Sequence, residues 1–472
     1  MEKATTIRSE IEKELKLGGY TFNSFGQATG LNRGIFSAML NGNPPKPISV
    51  RQMDLITKAL NYPEDWLYDL YVDECFYDGR PHWKRVKPFL IRCVEVGNLR
   101  CVEKVLSRLM EDLNHIPTIF SLAEELYEEG KLREAIPFYE CVIENEKYQH
   151  SERLAISHYK IFSISVSENL ETNLEAVLRF IPFRNRLSVD YQLDGLLKIA
   201  NIYYYLHQWK EAERYADELR GVTSTILSLK VYKGKNKSDK KPLNTDRHLV
   251  VYYGQGYLIK SAALEKQGLF EEAMEYIRYY EDLSWFDDLD EVGQEEVQRF
   301  KVWAEANKLN LQMLMGDVNS LHPYEEFLKK NPPEIIPGLL TILESANKYG
   351  FSINDTLIEF SQEIEGVDEV SALYDSYYPQ SSSLDICANL FHQIAIYHFN
   401  YSNNTAGINY VLKSLRTYLK INDKPNFVQG TALFEKYRHA ATTIQKAEYQ
   451  YIMEEVLSNA QKSNVLHAVY RT

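Results

Sequence analysis

The run FNSFGQATGLNRGIFSAMLNG, Phe22 to Gly42, with Pro44-Pro45 just behind it, reads as two short helices joined by a tight turn at Gly30-Leu31-Asn32. Gly30 suits the left-handed backbone of such a turn because it has no Cβ to clash. Asn32 is placed to cap the second helix, its side-chain oxygen accepting an otherwise unpaired N–H. Ala28, Leu31, Ile35, Met39 and Leu40 fall at helical spacing and are expected to supply apolar contacts. Asn41-Gly42 should end the second helix, with Gly42 in the left-handed position. The pattern is that of a helix-turn-helix.

On the N-terminal side, Thr6 to Leu17 forms an expected first helix with Ile7, Ile11, Leu15 and Leu17 inward. The prolines of residues 44–47 (PPKP) make a rigid extended link, since consecutive prolines cannot continue a helix. Ser49 and Gln52 have capping-box spacing for a fourth helix through Leu60. Pro63 suits the first turn of a fifth, NYPEDWLYDLYV, where its missing N–H costs nothing. Met53, Ile56, Leu60, Trp66, Leu67 and Leu70 would close a small core.

GLNRGIFSAMLNG resembles the G-L-S-R-x-x-I-S-x-I-x-N-G signature of the Cro/repressor (XRE) family, and PISVRQMDLITKALNYPEDWL echoes the segment that follows it. The resemblance implies a five-helix DNA-binding module over residues 1–73. It also implies that Arg33, Gly34, Ser37 and Ala38 face base edges in the major groove. A guanidinium at Arg33 can pair with guanine O6 and N7 together, whereas Ala38 can touch only a thymine methyl. Asn32, Asn41, Lys46 and Arg51 are the expected phosphate contacts that set register. Charge argues the other way: Lys3, Arg8, Lys13, Lys16, Arg33, Lys46, Arg51 and Lys58 face nine Asp/Glu in residues 1–73. One copy should therefore bind DNA weakly, and two copies on a homodimer are expected.

The whole chain is acidic, with a net charge of −13 over 472 residues, so most of it is no polyanion-binding surface. Its 44% hydrophobic content suits an ample core. Cys75, Cys93, Cys101, Cys141 and Cys387 form no CxxC pair and no zinc spacing, which fits reduced thiols in core packing. MEKATTIRSEIEKELK has no apolar signal core, and no run approaches a membrane span. A cytoplasmic chain without membrane association is expected.

From residue 74 to 472 the pattern is helical and resembles the tetratricopeptide repeat. AEELYEEGKLREAIPFYECVIE, residues 123–144, is the clearest copy, with Ala123 and Ala135 allowing close approach, Gly130 turning, and Ile136, Tyr139 and Ile143 filling the interface. Residues 200–219 and 261–283 are further copies, carrying Ala200, Trp209 and Ala212, then Gly268, Phe270 and Ala273. Weaker copies follow at 94–109, 156–180, 307–328, 339–360 and 394–415, with 434–457 as a cap. The expected fold is all-α: the helix-turn-helix module, then a right-handed tetratricopeptide-like α-solenoid of about eight or nine helix pairs. LKVYKGKNKSDKKPLNTD, residues 229–246, interrupts it with Lys230, Lys233, Lys235, Lys237, Lys240 and Lys241, and reads as a solvated basic loop or, alternatively, as a supplementary phosphate contact.

No Walker loop, HExxH or nucleophile elbow occurs, so no enzyme, metal or cofactor is expected. YYGQGYLI, with Gly254 and Gly256, reads as a helix start. His392 and His398 read as packing residues, and Asp287-Asp288 as part of a solvated turn.

A Cro-type module ahead of a long repeat array resembles the RRNPP family of peptide-pheromone receptors. The resemblance implies a quorum-sensing transcriptional regulator that binds double-stranded operator DNA as a homodimer and is switched by a short signalling peptide. The alternative it implies is a Rap-like repeat scaffold that regulates a signalling protein by direct binding. An extended peptide has backbone N–H and C=O groups to satisfy, and an Asn amide offers donor and acceptor together. By repeat position Asn201, Asn307, Asn310 and Asn347 should face inward, with Tyr204, Tyr205 and Met313 forming side-chain pockets. Arg247 is the candidate partner of a peptide carboxylate.

Overall fold

The computed structural model describes residues 5–77, 79–148, 151–167, 170–233, 245–286, 289–366 and 380–469. It is all-α apart from a two-stranded antiparallel ribbon, β1 (Phe76–Tyr77) with β2 (Arg80–Pro81). Two compact units divide the chain, Met1–Gln192 and Leu193–Thr472.

In the first unit, α1 (Ile7–Leu17), α2 (Phe22–Thr29), α3 (Arg33–Leu40), α4 (Val50–Ala59) and α5 (Tyr68–Glu74) precede the ribbon. Then come α6 (Trp83–Glu95), α7 (Leu99–Leu109), α8 (Ile116–Glu128), α9 (Leu132–Asn145), α10 (Glu152–Ser165) and α11 (Leu170–Phe180). Thr6, Thr21 and Ser49 each close a reciprocal capping box with the residue three further on, which fixes the starts of α1, α2 and α4. The fifth helix is shorter than its sequence pattern. Residues 61–67 turn instead, with Trp66 N–H bonded to Pro63 C=O and Tyr68 N–H to Asp65 C=O, so Pro63 lies outside α5. Leu17 is 72% exposed, leaving Ile7, Ile11 and Leu15 as the buried stripe of α1. One apolar core runs without a break from Ile7 to Val142, so α1–α5 share their interior with α6–α9. In α9 the buried residues are Ala135, Phe138, Tyr139, Cys141 and Val142, while Ile136 and Ile143 are only half-buried.

The second unit begins within α12 (Val189–Tyr205) and continues through α13 (Trp209–Lys233), α14 (Leu249–Lys266), α15 (Phe270–Ile277), α16 (Glu291–Leu314) and α17 (Leu321–Lys330). Next are α18 (Ile335–Tyr349), α19 (Asn354–Glu359), α20 (Ser361–Glu365), α21 (Gln380–Asn400), α22 (Asn404–Lys420), α23 (Lys424–Tyr437) and α24 (Thr443–Val469). Helices α14, α16, α18 and α21 pack side by side in that order, and α15, α17 and α22 lean against them.

One turn chemistry recurs in both units. A left-handed residue ends the first helix, and the next N–H reaches back to the carbonyl five residues earlier, the Schellman arrangement. Asn98 bonds Cys93 across Gly97, Lys131 bonds Leu126 across Gly130, and Leu269 bonds Leu264 across Gly268. The same bond closes the turns at His207, Gly316, Ser402 and Asn422.

Gly254 and Gly256 lie inside α14 rather than at its start. A Cβ on Gly254 would stand 2.4 Å from the Phe300 ring of α16, and one on Gly256 would stand 2.8 Å from Arg220 of α13. These glycines let the helices approach closely. All five cysteines are buried, and burial pushes the thiols up, to about 12 at Cys75 and about 11 at Cys101 and Cys141. Among the described residues no helix is long and apolar enough to cross a membrane, and no cluster of His, Cys, Asp or Glu is arranged to hold a metal ion. Of the basic segment 229–246, residues 234–244 lie outside the described residues, as does Asp287-Asp288.

Candidate functional site

Helices α2 and α3 are joined through Gly30, left-handed at φ 71°, and Asn32 caps α3 by accepting the Gly34 N–H at 2.8 Å. Thr29 is buried and its hydroxyl closes the end of α2, donating to Phe25 C=O at 2.8 Å and accepting from Leu31 N–H at 3.3 Å. Gly26 sets the spacing of the pair: a Cβ there would meet Leu31 C=O at 2.7 Å. Phe25, Phe36, Met39 and Leu40 bury the inner face, and Phe25 packs on Phe36 with centroids 5.2 Å apart.

The outer face of α3 carries Arg33, Gly34, Ser37 and Asn41, all exposed, while Ala38 is half-buried. Ala28 is exposed and takes no part in the core; Gly26, Thr29 and Phe36 occupy the interior instead. Gly42 keeps ordinary backbone, and α3 ends on Asn41 in right-handed conformation. The glycine at 42 is needed for space, since a Cβ would stand 2.4 Å from Ala38 C=O. That carbonyl's immediate surroundings also include the proline link, because Lys46 N–H donates to it at 2.7 Å. Lys46 is thereby fixed beside the last turn of α3.

Charge in this module is partitioned. Residues 15–53 hold Lys16, Arg33, Lys46 and Arg51 and no Asp or Glu at all. These cations and Lys58 are exposed, and none makes an ion pair among the described residues. Six of the nine acids of residues 1–73 are in ion pairs, Glu10 and Glu14 with Lys13 and the other four with cations beyond residue 73. Asp54 and Glu64 meet Arg92 of α6 at 3.1 and 2.9 Å. Asp69 takes Lys104 of α7, and Asp73 takes Arg108 of α7 at 2.9 Å. Lys104 holds the Asp69 carboxyl below its usual range, whereas burial raises Asp54 against the pull of Arg92. Four of the nine acids of residues 1–73 are thus offset by cations of α6 and α7, which lie outside that stretch.

In the second unit three of the four asparagines expected to clamp a peptide already have partners within the fold. Asn307 donates to Tyr280 Oη at 2.9 Å, Asn310 accepts from Tyr324 Oη, and Asn347 donates to the backbone and side-chain oxygens of Gln393, each at 2.9 Å. Asn400 donates to Asn347 at 3.3 Å in turn. Asn201 is half-buried with no hydrogen bond to its amide among the described residues. Met313 is fully buried in the apolar core, so it offers no pocket wall; residue 313 falls on the inward side of the α16 register. Arg247 is exposed in the turn before α14, where its backbone N–H donates to Tyr252 Oη at 3.2 Å. Tyr204 packs edge-on to Trp209 at 5.2 Å and lies 6.0 Å from Tyr205.

Sequence reading missed the charged groups near Tyr204. Lys266, at the end of α14, meets Glu265 at 3.2 Å, and Glu265 holds its ammonium well above the usual range, with Tyr204 and Glu344 acting in the same direction. Burial raises the carboxyls of Glu344 and Asp385 and pushes the Tyr204 hydroxyl to about 12. Helices α12, α14, α18 and α21 thus bring these groups into one electrostatic neighbourhood. His392 and His398 are ring-packed, against Tyr418 and Tyr410, and burial lowers both.

No protein-family model matches the chain, and no curated protein matches it.

Proposed function

We propose that the chain is a DNA-binding transcription regulator, with α1–α5 as a Cro-type helix-turn-helix module and the later helix pairs as a tetratricopeptide-like solenoid. The observation that carries this reading is the face of α3. Arg33, Ser37 and Asn41 stand exposed on a segment free of acids, with Lys46 docked at its end, while four of the module's nine acids, Asp54, Glu64, Asp69 and Asp73, are paired to α6 and α7. A short helix with one free guanidinium, small neighbours and flanking cations suits entry into a groove lined by phosphates. Phosphate contact would come from Lys46 and Arg51, and the base-reading role falls chiefly to Arg33. Asn32 already spends its side-chain oxygen on the cap, which leaves only its amide donor for a phosphate.

In this reading the second unit takes a short peptide. Asn201 has the free amide, and Tyr204 with the mixed charges at Lys266, Glu344 and Asp385 supplies polar recognition beside it. Asn307, Asn310 and Asn347 contribute as fixed members of bonded pairs, each with capacity left on the amide. The regulator acts as a homodimer, which brings two weakly charged modules to one operator.

Selection of duplexes from a randomised pool by the full chain tests the DNA role: a recovered two-fold motif supports it, and sequences indistinguishable from the input pool refute it. Mass spectrometry of small molecules retained by natively purified protein tests the peptide role. A co-purified peptide that alters affinity for the selected duplex supports it; a peptide without effect on that affinity refutes the switch.

A further inference from the structure

One side chain of the first unit joins four elements. Arg8, in the first turn of α1, donates from Nε to Met39 C=O at 3.0 Å and from Nη2 to Lys46 C=O at 3.3 Å. Its two terminal nitrogens also grip the Glu74 carboxylate side-on, Nη2 to Oε2 at 3.1 Å and Nη1 to Oε1. Met39 belongs to the last turn of α3, where carbonyls have no partner within the helix, and a cation there opposes the helix dipole. Glu74 is the last residue of α5, and its own backbone carbonyl accepts from Arg85 Nη1 of α6 at 2.8 Å. Side-chain exposure is 19% for Arg8 and 14% for Glu74, so the pair is largely withdrawn from solvent.

We propose that Arg8 is the positioning residue of the base-reading helix: its guanidinium ties the end of α3 and the proline link to the end of α5, and through Glu74 to α6. The proposal rests on the DNA-reading role given above. The guanidinium's donors are directed at acceptors inside the fold, so Arg8 is not a phosphate contact despite lying in a DNA-binding module. A lysine keeps the charge but has no planar fork, and a single ammonium cannot meet the two carboxylate oxygens and both carbonyls at these distances. Loss of the fork leaves α3 folded on Phe25 and Phe36 but free to change its pitch. Contacts that depend on pitch, those to base edges, should suffer. Contacts that track the backbone through Lys46 and Arg51 should not.

Full-length Arg8→Lys, Arg8→Ala and Glu74→Gln proteins test this by two measurements. The first is amide hydrogen exchange without DNA, following residues 33–46 against α8 and α9. The second is equilibrium binding, across a salt series, to a duplex selected by the wild-type chain and to a mixed-sequence duplex of equal length. Losing the charge-assisted bonds should speed exchange in 33–46 and weaken the selected duplex about tenfold in Arg8→Lys and Glu74→Gln. Exchange in α8 and α9, affinity for the mixed-sequence duplex and the salt slope should stay as in wild type. Three results would overturn the proposal: Arg8→Lys behaving as wild type, Arg8→Ala lowering the salt slope by about 0.9 as a lost phosphate contact does, or both duplexes weakening in proportion. If the wild-type chain selects no duplex, the DNA-reading role fails, and the exchange measurement alone still decides whether Arg8 fixes α3.

Discussion

The Arg92 guanidinium of α6 donates from Nε to Asp54 Oδ2 of α4 at 3.1 Å and from Nη2 to Glu64 at 2.9 Å. A cation outside residues 1–73 thereby cancels two of that module's acids, next to exposed cations that keep their charge. Replacing Arg92 by Ala should uncover Asp54 and Glu64 and weaken duplex binding severalfold at low salt. Screening over a Debye length of about 3 Å at 1 M salt should erase the difference. Parallel titrations at low and high salt check this; a defect that persists undiminished at high salt would point to misfolding instead.

Lys46 and Arg51 should each contribute to counterion release. Lys46→Ala and Arg51→Ala are expected to lower the slope of log affinity against log salt by about 0.9 apiece, on selected and mixed-sequence duplexes alike. Unchanged slopes would remove both residues from the interface.

Gly26 offers a test of the α2–α3 turn with a reversed sign. In a helix interior Gly→Ala is ordinarily stabilising by about 1 kcal/mol. Here the new Cβ would stand 2.7 Å from the Leu31 carbonyl, a backbone atom that cannot swing aside. Gly26→Ala should therefore destabilise the first unit by about 1–3 kcal/mol, the usual cost of overpacking. Denaturant midpoints of the full chain measure it, and a raised midpoint would contradict the close approach.

His158 stacks on Phe183 with centroids 3.7 Å apart, and burial together with Arg186 lowers it to about 4. Its unfolded value is about 6.5, so between those limits the unfolded chain binds the extra proton. The stability this neutral ring contributes is complete above about pH 6.5 and is lost as pH falls toward 4. His158→Phe keeps the stack and removes the titration. Its melting temperature should fall less steeply than that of wild type across this window, and equal slopes would contradict a buried neutral histidine.

Local chemistry was legible in the sequence where a cap or a turn is written into adjacent residues. Ser49, Gly30 and Asn32 announced their helices, and Gly130 and Gly268 announced helix pairs. The turns at His207 and Ser402 fall inside the helix pairs read at 200–219 and 394–415, but neither residue marks itself as the turn, since a left-handed His or Ser is uncommon. Gly254 and Gly256 misled for the converse reason: their role is space for Phe300 and Arg220, which belong to other helices. Charge counting over residues 1–73 did not include Arg92, Lys104 and Arg108, which pair with Asp54, Glu64, Asp69 and Asp73 from beyond that window. Arg8 escaped notice since its partners are spread over residues 39, 46 and 74, two of them backbone carbonyls. In the second unit repeat position singled out Asn307, Asn310 and Asn347, but the tyrosines and glutamine that engage them come from elsewhere in the fold.

The most direct test of the account is the affinity of full-length wild-type and Arg33→Ala protein for a duplex selected by the wild type and for a scrambled duplex. Loss of a bidentate guanine contact is expected to cost about 1–3 kcal/mol, or about 5- to 150-fold, on the selected duplex. Affinity for the scrambled duplex should fall only by the share of one cation. Equal affinities of the two proteins for the selected duplex would contradict the assignment of α3 as the DNA-reading helix.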